Sequence, residues 1–116
     1  MSEEKIAELE RTLELFRLKF TDARVARDFT SWNGKTMQYL FTDSGDYYHI
    51  IFHDGVPAPA QRGKPEKAEI QYELSTETFL AMARKETTGL KAYAQGKVKL
   101  RASVPDMLKL QKIDSI

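Results

Sequence analysis

Lys67-Ala-Glu-Ile-Gln-Tyr-Glu-Leu74, Ser75-Thr-Glu-Thr-Phe-Leu-Ala-Met-Ala83, Leu90-Lys-Ala-Tyr-Ala-Gln-Gly96, Lys97-Val-Lys-Leu-Arg101 and Met107-Leu-Lys-Leu-Gln-Lys-Ile113 read as strand, helix, short helix, strand and helix. In the first strand Ala68, Ile70, Tyr72 and Leu74 alternate with Glu69, Gln71 and Glu73, the period-2 pattern of a half-buried strand. The second strand repeats it. Val98, Leu100 and Ala102 share one face, and Lys97, Lys99 and Arg101 the other, so the sheet has one dry and one wet side.

Ser75, with Glu77 and Thr78 behind it, makes a helix start, because a side-chain oxygen can accept from an unpaired amide of the first turn. Phe79, Met82 and Ala83 then form the stripe that covers the dry face. The order and spacing of these residues resemble the sterol carrier protein type 2 family, the non-specific lipid-transfer domains. The resemblance rests on Leu74-Ser75, Glu77, Phe79-Leu80, Ala92-Tyr93-Ala94-Gln95-Gly96, Lys97-Val98-Lys99-Leu100 and Lys109-Leu110-Gln111, with no insertion between Phe79 and Leu100.

The chain departs from that family at three places. A Gly that usually follows the first of the two helices is Lys85 here, a Pro shortly after it is missing near Gly89, and the Gly after the Lys-rich strand is Ala102. A Lys adopts Gly's left-handed conformation only at a cost, so the first helix is expected to run past Lys85 and stop near Gly89.

A chain of 116 residues is ordinary for one domain and can bury roughly two-thirds of its unfolded surface, so residues 1–116 are expected to form a single domain. With 41% hydrophobic and 30% charged residues it reads as a folded, water-soluble protein. No apolar run approaches the ~18 residues of a spanning helix, and the acidic start is unlike a secretion signal, so a cytoplasmic location is expected. Cysteine is absent, which excludes disulfides and thiol chemistry. The net charge of +1 gives no long-range pull toward nucleic acid, and none is expected as a partner. The charge is unevenly spread: Glu3, Glu4, Glu8, Glu10 and Glu14 crowd the start, while Lys91, Lys97, Lys99, Arg101, Lys109 and Lys112 outnumber Asp106 and Asp114 near the end.

Upstream, Ser2 caps a first helix whose Ile6, Leu9, Leu13, Phe16 and Phe20 form an amphipathic stripe. The stripe is too short for a coiled-coil seam, which needs at least ~3 heptads, and is expected to pack on its own domain. Asp22 is expected to cap a second short helix through Phe29 that closes near Asn33-Gly34. Strands Lys35 to Thr42 and Asp46 to His53 follow as a hairpin around Asp43-Ser44-Gly45, with Met37, Tyr39, Phe41, Tyr48, Ile50 and Phe52 facing the core. Val56 to Pro65 holds three prolines and reads as loop or a short edge strand.

Little in the chain suggests chemistry. His49 and His53 share a strand face but stand more than ~12 Å apart at 3.3 Å per residue, too far to share one ion, so no metal is expected. No phosphate loop or nucleophile elbow is present, and no catalytic residue or cofactor is assigned. An isomerase-like enzyme with a curved sheet needs an acid or base in its cavity, and Tyr72 is the sole polar-tipped inward strand position among Ile70, Tyr72, Leu74, Val98 and Leu100.

The resulting expectation is an α/β domain: a five-stranded, mostly antiparallel sheet with helices on one face. By the resemblance, sheet and helices enclose an apolar tunnel lined by Ile50, Phe52, Ile70, Tyr72 and Leu100 from the strands and by Phe79, Met82, Leu90, Tyr93, Met107 and Leu110 from the helices. The expected function is non-enzymatic binding, and transfer, of a lipid or fatty acyl ligand by a monomer or homodimer, with transient contact between the basic C-terminal region and an anionic membrane surface. The alternative is a ligand-free interaction module whose side chains fill the tunnel.

Overall fold

Each of the four helices opens on a hydroxyl side chain. In the computed structural model, which describes residues 2–116, Ser2 accepts from the Lys5 amide, Ser75 from Thr78, Thr88 from Lys91 and Ser103 from Asp106, at 3.0–3.3 Å. These caps set the starts of α1 (Glu3–Lys19), α2 (Thr76–Ala83), α3 (Gly89–Ala94) and α4 (Val104–Asp114). Helix α4 therefore begins three residues earlier than Met107, because Ser103 and the Pro105 behind it already make a first turn.

The sheet comprises β1 (Thr36–Phe41), β2 (Asp46–His53), β3 (Val56–Pro57), β4 (Gln61–Arg62), β5 (Ile70–Leu74) and β6 (Val98–Arg101). Its order is β3-β2-β1-β5-β6, with β4 also paired to β2. Only β1 and β5 run parallel, in the register Met37↔Ile70, Tyr39↔Tyr72 and Phe41↔Leu74. The expected mostly antiparallel sheet is thus observed, with the proline-rich segment supplying two two-residue edge strands. β5 starts at Ile70 rather than Lys67, so Ala68 lies before the strand.

Two sequence expectations are corrected. The segment after Asp22 forms turns and one 3₁₀ turn at Ala26–Phe29 rather than an α-helix. Helix α2 stops at Ala83 instead of running past Lys85. Lys85 takes the left-handed conformation itself, at φ 59°. Its amide bonds to the Met82 carbonyl and the Glu86 amide reaches back to Ala81, so two end carbonyls are satisfied without a glycine.

All four helices lie on the dry face. Ile50, Phe52, Ile70, Met37, Tyr39 and Phe41 are at most 1% exposed beneath them. At one end Phe20, Phe29, Trp32 and Phe52 pack edge to face with centroids 4.8–5.1 Å apart in four pairs. Towards the other end Tyr39 stacks on Tyr72 at 5.0 Å, and Phe79 meets Tyr39 and Phe41 edge-on. Helix α1 is also tied to the sheet edge by Glu10, which accepts from Tyr48 Oη (2.9 Å) and Arg62 Nε (2.6 Å). Burial and the Glu10 bond push the Tyr48 phenol up to about 12.

A buried polar clamp holds α4. Trp32 Nε1 donates to Asp106 Oδ1 at 3.1 Å and Lys35 Nζ to Oδ2 at 2.8 Å, with the Lys35 ammonium also 5.2 Å from the Trp32 ring centre. Lys109 and Lys112 add exposed bonds to Ser31 and Asp28. Asp106→Asn keeps the shape and an acceptor for Trp32 but removes the charge opposite Lys35. Since Lys35 can swing partly into solvent, a loss of about 2 kcal/mol is expected, read as a lower urea midpoint.

Candidate functional site

Two adjoining pockets open among the helices, one of them reaching the β5–β6 end of the sheet. The larger, about 260 Å³, lies between α1, α2 and the start of α3 and is walled by Leu15, Phe16, Phe79 and Met82. The smaller, about 120 Å³, lies beneath α3 and α4, against Tyr72, Val98 and Leu100. Phe16, Met82, Gly89 and Asp114 border both, so the pockets adjoin at a neck.

Phe16 stands at this neck, lining both pockets. Its ring lies 6.1 Å from both Tyr39 and Phe79, extending the aromatic cluster from the sheet outward. Eight of the residues singled out by sequence border these pockets. Tyr72, Leu90, Tyr93, Leu100, Met107 and Leu110 face the smaller one, Phe79 the larger, and Met82 both. Ile50, Phe52 and Ile70 border neither. They lie in the filled part of the core, where Phe20 and Trp32 pack against Phe52.

Polar groups gather at the neck and at the rim of the larger pocket. Asp114 points to the amides of Gly89 and Leu90 at the start of α3, and a Cβ added at Gly89 would lie 2.6 Å from its Oδ2. The residue keeps contact with solvent through the open pockets. Surrounding protein atoms nonetheless desolvate its carboxyl enough to raise its pKa, against the opposing pull of Lys19 and the two amides. Tyr72, buried and near Asp114, is held protonated by the same two influences, burial first. Lys19, Lys85 and Thr87 complete the rim.

Sequence reading by strand alternation missed these polar positions. Helical spacing could have found two of them: Asp114 follows Leu110 by one turn of α4, and Lys19 follows Phe16 by one turn of α1. His49 bonds instead to the Gly63 carbonyl at 2.8 Å, outside the pockets. Among the described residues no group of three or more His, Cys, Asp or Glu is placed to hold a metal, and no helix is long and apolar enough to cross a membrane.

The model of the SCP-2 sterol transfer family matches residues 14–114. The chain belongs to that family. No curated protein matches it by sequence. Among solved structures, palmitated sterol carrier protein 2-like 2 from Aedes aegypti is 20% identical, with 100% of this chain and 96% of that one covered and a TM-score of 0.64. Sterol carrier protein domain 2 of Helicoverpa armigera is 15% identical over 96% of this chain and 86% of that one, at 0.67. The inverting sec-alkylsulfatase Pisa1 from Pseudomonas sp. is 21% identical over 78% of this chain, at 0.60, but this chain spans only 14% of its length. These likenesses establish an SCP-2 fold. They also place that fold both as a nearly whole chain and as a small part of a larger enzyme.

Proposed function

We propose that this SCP-2 domain is a non-enzymatic carrier that binds one fatty acyl chain, or a lipid of similar girth, across the two adjoining pockets. The observation that carries this reading is the shared neck: apolar walls on either side of Phe16 and Met82 give a chain a path longer than either pocket alone. Each buried methylene contributes ~0.8 kcal/mol, so a dozen give on the order of 10 kcal/mol before ordering costs, and no catalytic group is needed for tight binding. Both pockets open to solvent, so they avoid the ~24 cal/mol per Å³ of a sealed void. The thioether of Met82 can move aside as a chain enters.

Delivery is proposed to occur at an anionic membrane surface. Leu90 and Tyr93, at least half exposed, rim the smaller pocket, with Lys91 beside them and Lys97 just beyond α3. Apolar side chains flanked by ammonium groups suit a bilayer carrying negative headgroups. The reading covers residues 1–116 as one cytoplasmic domain.

The aromatic packing around Phe16 favours a second reading, in which the domain is a lipid-free interaction module. Native mass spectrometry of protein purified without detergent separates the two, together with titration by a fluorescent fatty acid. A carrier retains or takes up one lipid per chain, and its melting temperature rises with ligand. A chain that carries no lipid, binds no probe and gains no stability is the module.

A further inference from the structure

The larger pocket carries charge that an uncharged lipid would not engage. Lys19, at the end of α1, and Lys85, just after α2, both line it, against the single carboxylate of Asp114. Neither ammonium forms an ion pair among the described residues. Lys19 is desolvated by its surroundings and repelled by Lys85, and both effects lower its pKa while Asp114 opposes them. The Thr87 hydroxyl oxygen, also on this pocket, is buried without a hydrogen-bond partner.

Lysines commonly end helices, where they offset the negative end of the helix dipole. That accounts for a Lys near each terminus. It does not account for the burial around Lys19. The left-handed turn that closes α2 at Lys85, φ 59°, sets that residue on the same pocket, so the two ammonium groups share it.

We infer that Lys19, Lys85 and Thr87 form a headgroup site that selects a lipid ending in a single carboxylate. This rests on the carrier reading above and deepens it. Two ammonium groups against one carboxylate leave one positive charge unmatched, which one monoanion neutralises. A carboxylate also accepts from the Thr87 hydroxyl, whereas the hydroxyl of a sterol or alcohol carries no charge and gives the lysines only the weaker, uncharged-acceptor bonds. A dianionic phosphate would leave the pocket with net negative charge.

Displacement of a fluorescent acyl probe tests this with three ligands of equal chain length: hexadecanoate, hexadecanol and hexadecyl phosphate. Hexadecanoate is expected to bind about 10-fold tighter than hexadecanol, the gain of roughly one charge-assisted hydrogen bond. In the variant K19Q/K85Q that preference should fall below about 3-fold, the loss of most of that bond's gain, with hexadecanol unaffected. Equal binding of acid and alcohol by the natural chain, or a preference that survives the double substitution, overturns the headgroup site and leaves the carrier standing. Binding of neither ligand removes both. Tighter binding of hexadecyl phosphate overturns the assignment to a carboxylate.

Lys85→Gly supplies an independent arm in which misfolding is not a concern. Glycine relieves the left-handed strain, so the melting temperature should rise by about 3–5 °C while hexadecanoate affinity falls several-fold. Lys85→Arg should retain the affinity. A glycine variant that gains stability and keeps full affinity shows that Lys85 takes no part in binding, and overturns its place in the site.

Discussion

Replacing Met82 with tryptophan is expected to weaken acyl-lipid binding about 50-fold while the domain stays folded. Met82, like Phe16, borders both pockets, so an indole there would occupy the neck that a chain spanning the two, as proposed, would thread. Denying a ligand about three methylenes of burial at ~0.8 kcal/mol each amounts to that factor. Met82 is half-buried at the edge of the core, so the larger ring can lean outward and the strain should stay near 1 kcal/mol. Probe titration with a parallel thermal melt checks both halves. Undiminished affinity in a folded M82W protein would mean that ligand occupies one pocket only, and the shared-neck argument would fail.

The largest effect on stability is expected at Gly55, in the turn between β2 and β3. Its φ is +84°, and an added Cβ would lie 2.7 Å from the Phe29 carbonyl oxygen and 2.8 Å from the Thr30 Cα. Both contacts are to backbone, which cannot rotate away. The Gly55 amide also bonds to the Trp32 carbonyl at 3.0 Å, so any shift pulls on the segment that carries Phe29 and Trp32 into the core. Gly55→Ala should cost about 3 kcal/mol or more, a fall in melting temperature on the order of 10 °C. Gly45→Ala is the control. Its φ is +76° but nothing lies within 4 Å, so only the conformational part, about 1 kcal/mol, should be lost. Equal losses at the two sites would show that crowding at Gly55 contributes nothing.

The three long strands were legible because their inward positions are all apolar: Met37, Tyr39 and Phe41, Tyr48, Ile50 and Phe52, and Ile70, Tyr72 and Leu74 are all buried, although in β1 Thr36 and Gln38 on the other face are buried as well. Periodicity also located the helices, and the family pattern supplied their order. What could not be read was local competition. At Lys85 the weak left-handed preference of lysine loses to two backbone hydrogen bonds and to the sharp stop they impose, a balance that depends on where α3 must begin. At Asp22–Thr30 the polar and apolar spacing suits a helix, but Phe29 and Trp32 are drawn under the Gly55 turn and the chain is bent into turns instead.

The pocket region was half legible for a related reason. Alternation and helical stripes identify side chains that avoid water, and so found Tyr72, Met82 and Leu110 along with Ile50, Phe52 and Ile70. They do not distinguish a wall from a filled core. That distinction is made by Phe16, contributed from a helix more than fifty residues away from Tyr72, and by Phe20 and Trp32 closing over Phe52. Asp114 escaped notice because a carboxylate at the end of a helix ordinarily belongs to solvent.

The parallel pairing of β1 with β5 has a consequence for how quickly the chain reaches this state. β1 and β2 meet across a four-residue turn and can zip within microseconds, but β5 must find the other side of β1 after some thirty intervening residues have been gathered in. Until it does, the middle strand of the finished sheet is an unshielded margin, the species most exposed to sticking to another copy. Loop-closure entropy grows only as the logarithm of length, so inserting ten Gly/Ser residues in the stretch 63–67 should slow refolding by no more than a few-fold. Crowding the nascent hairpin with other chains is the greater hazard, and yield on refolding should fall with concentration well before the rate does.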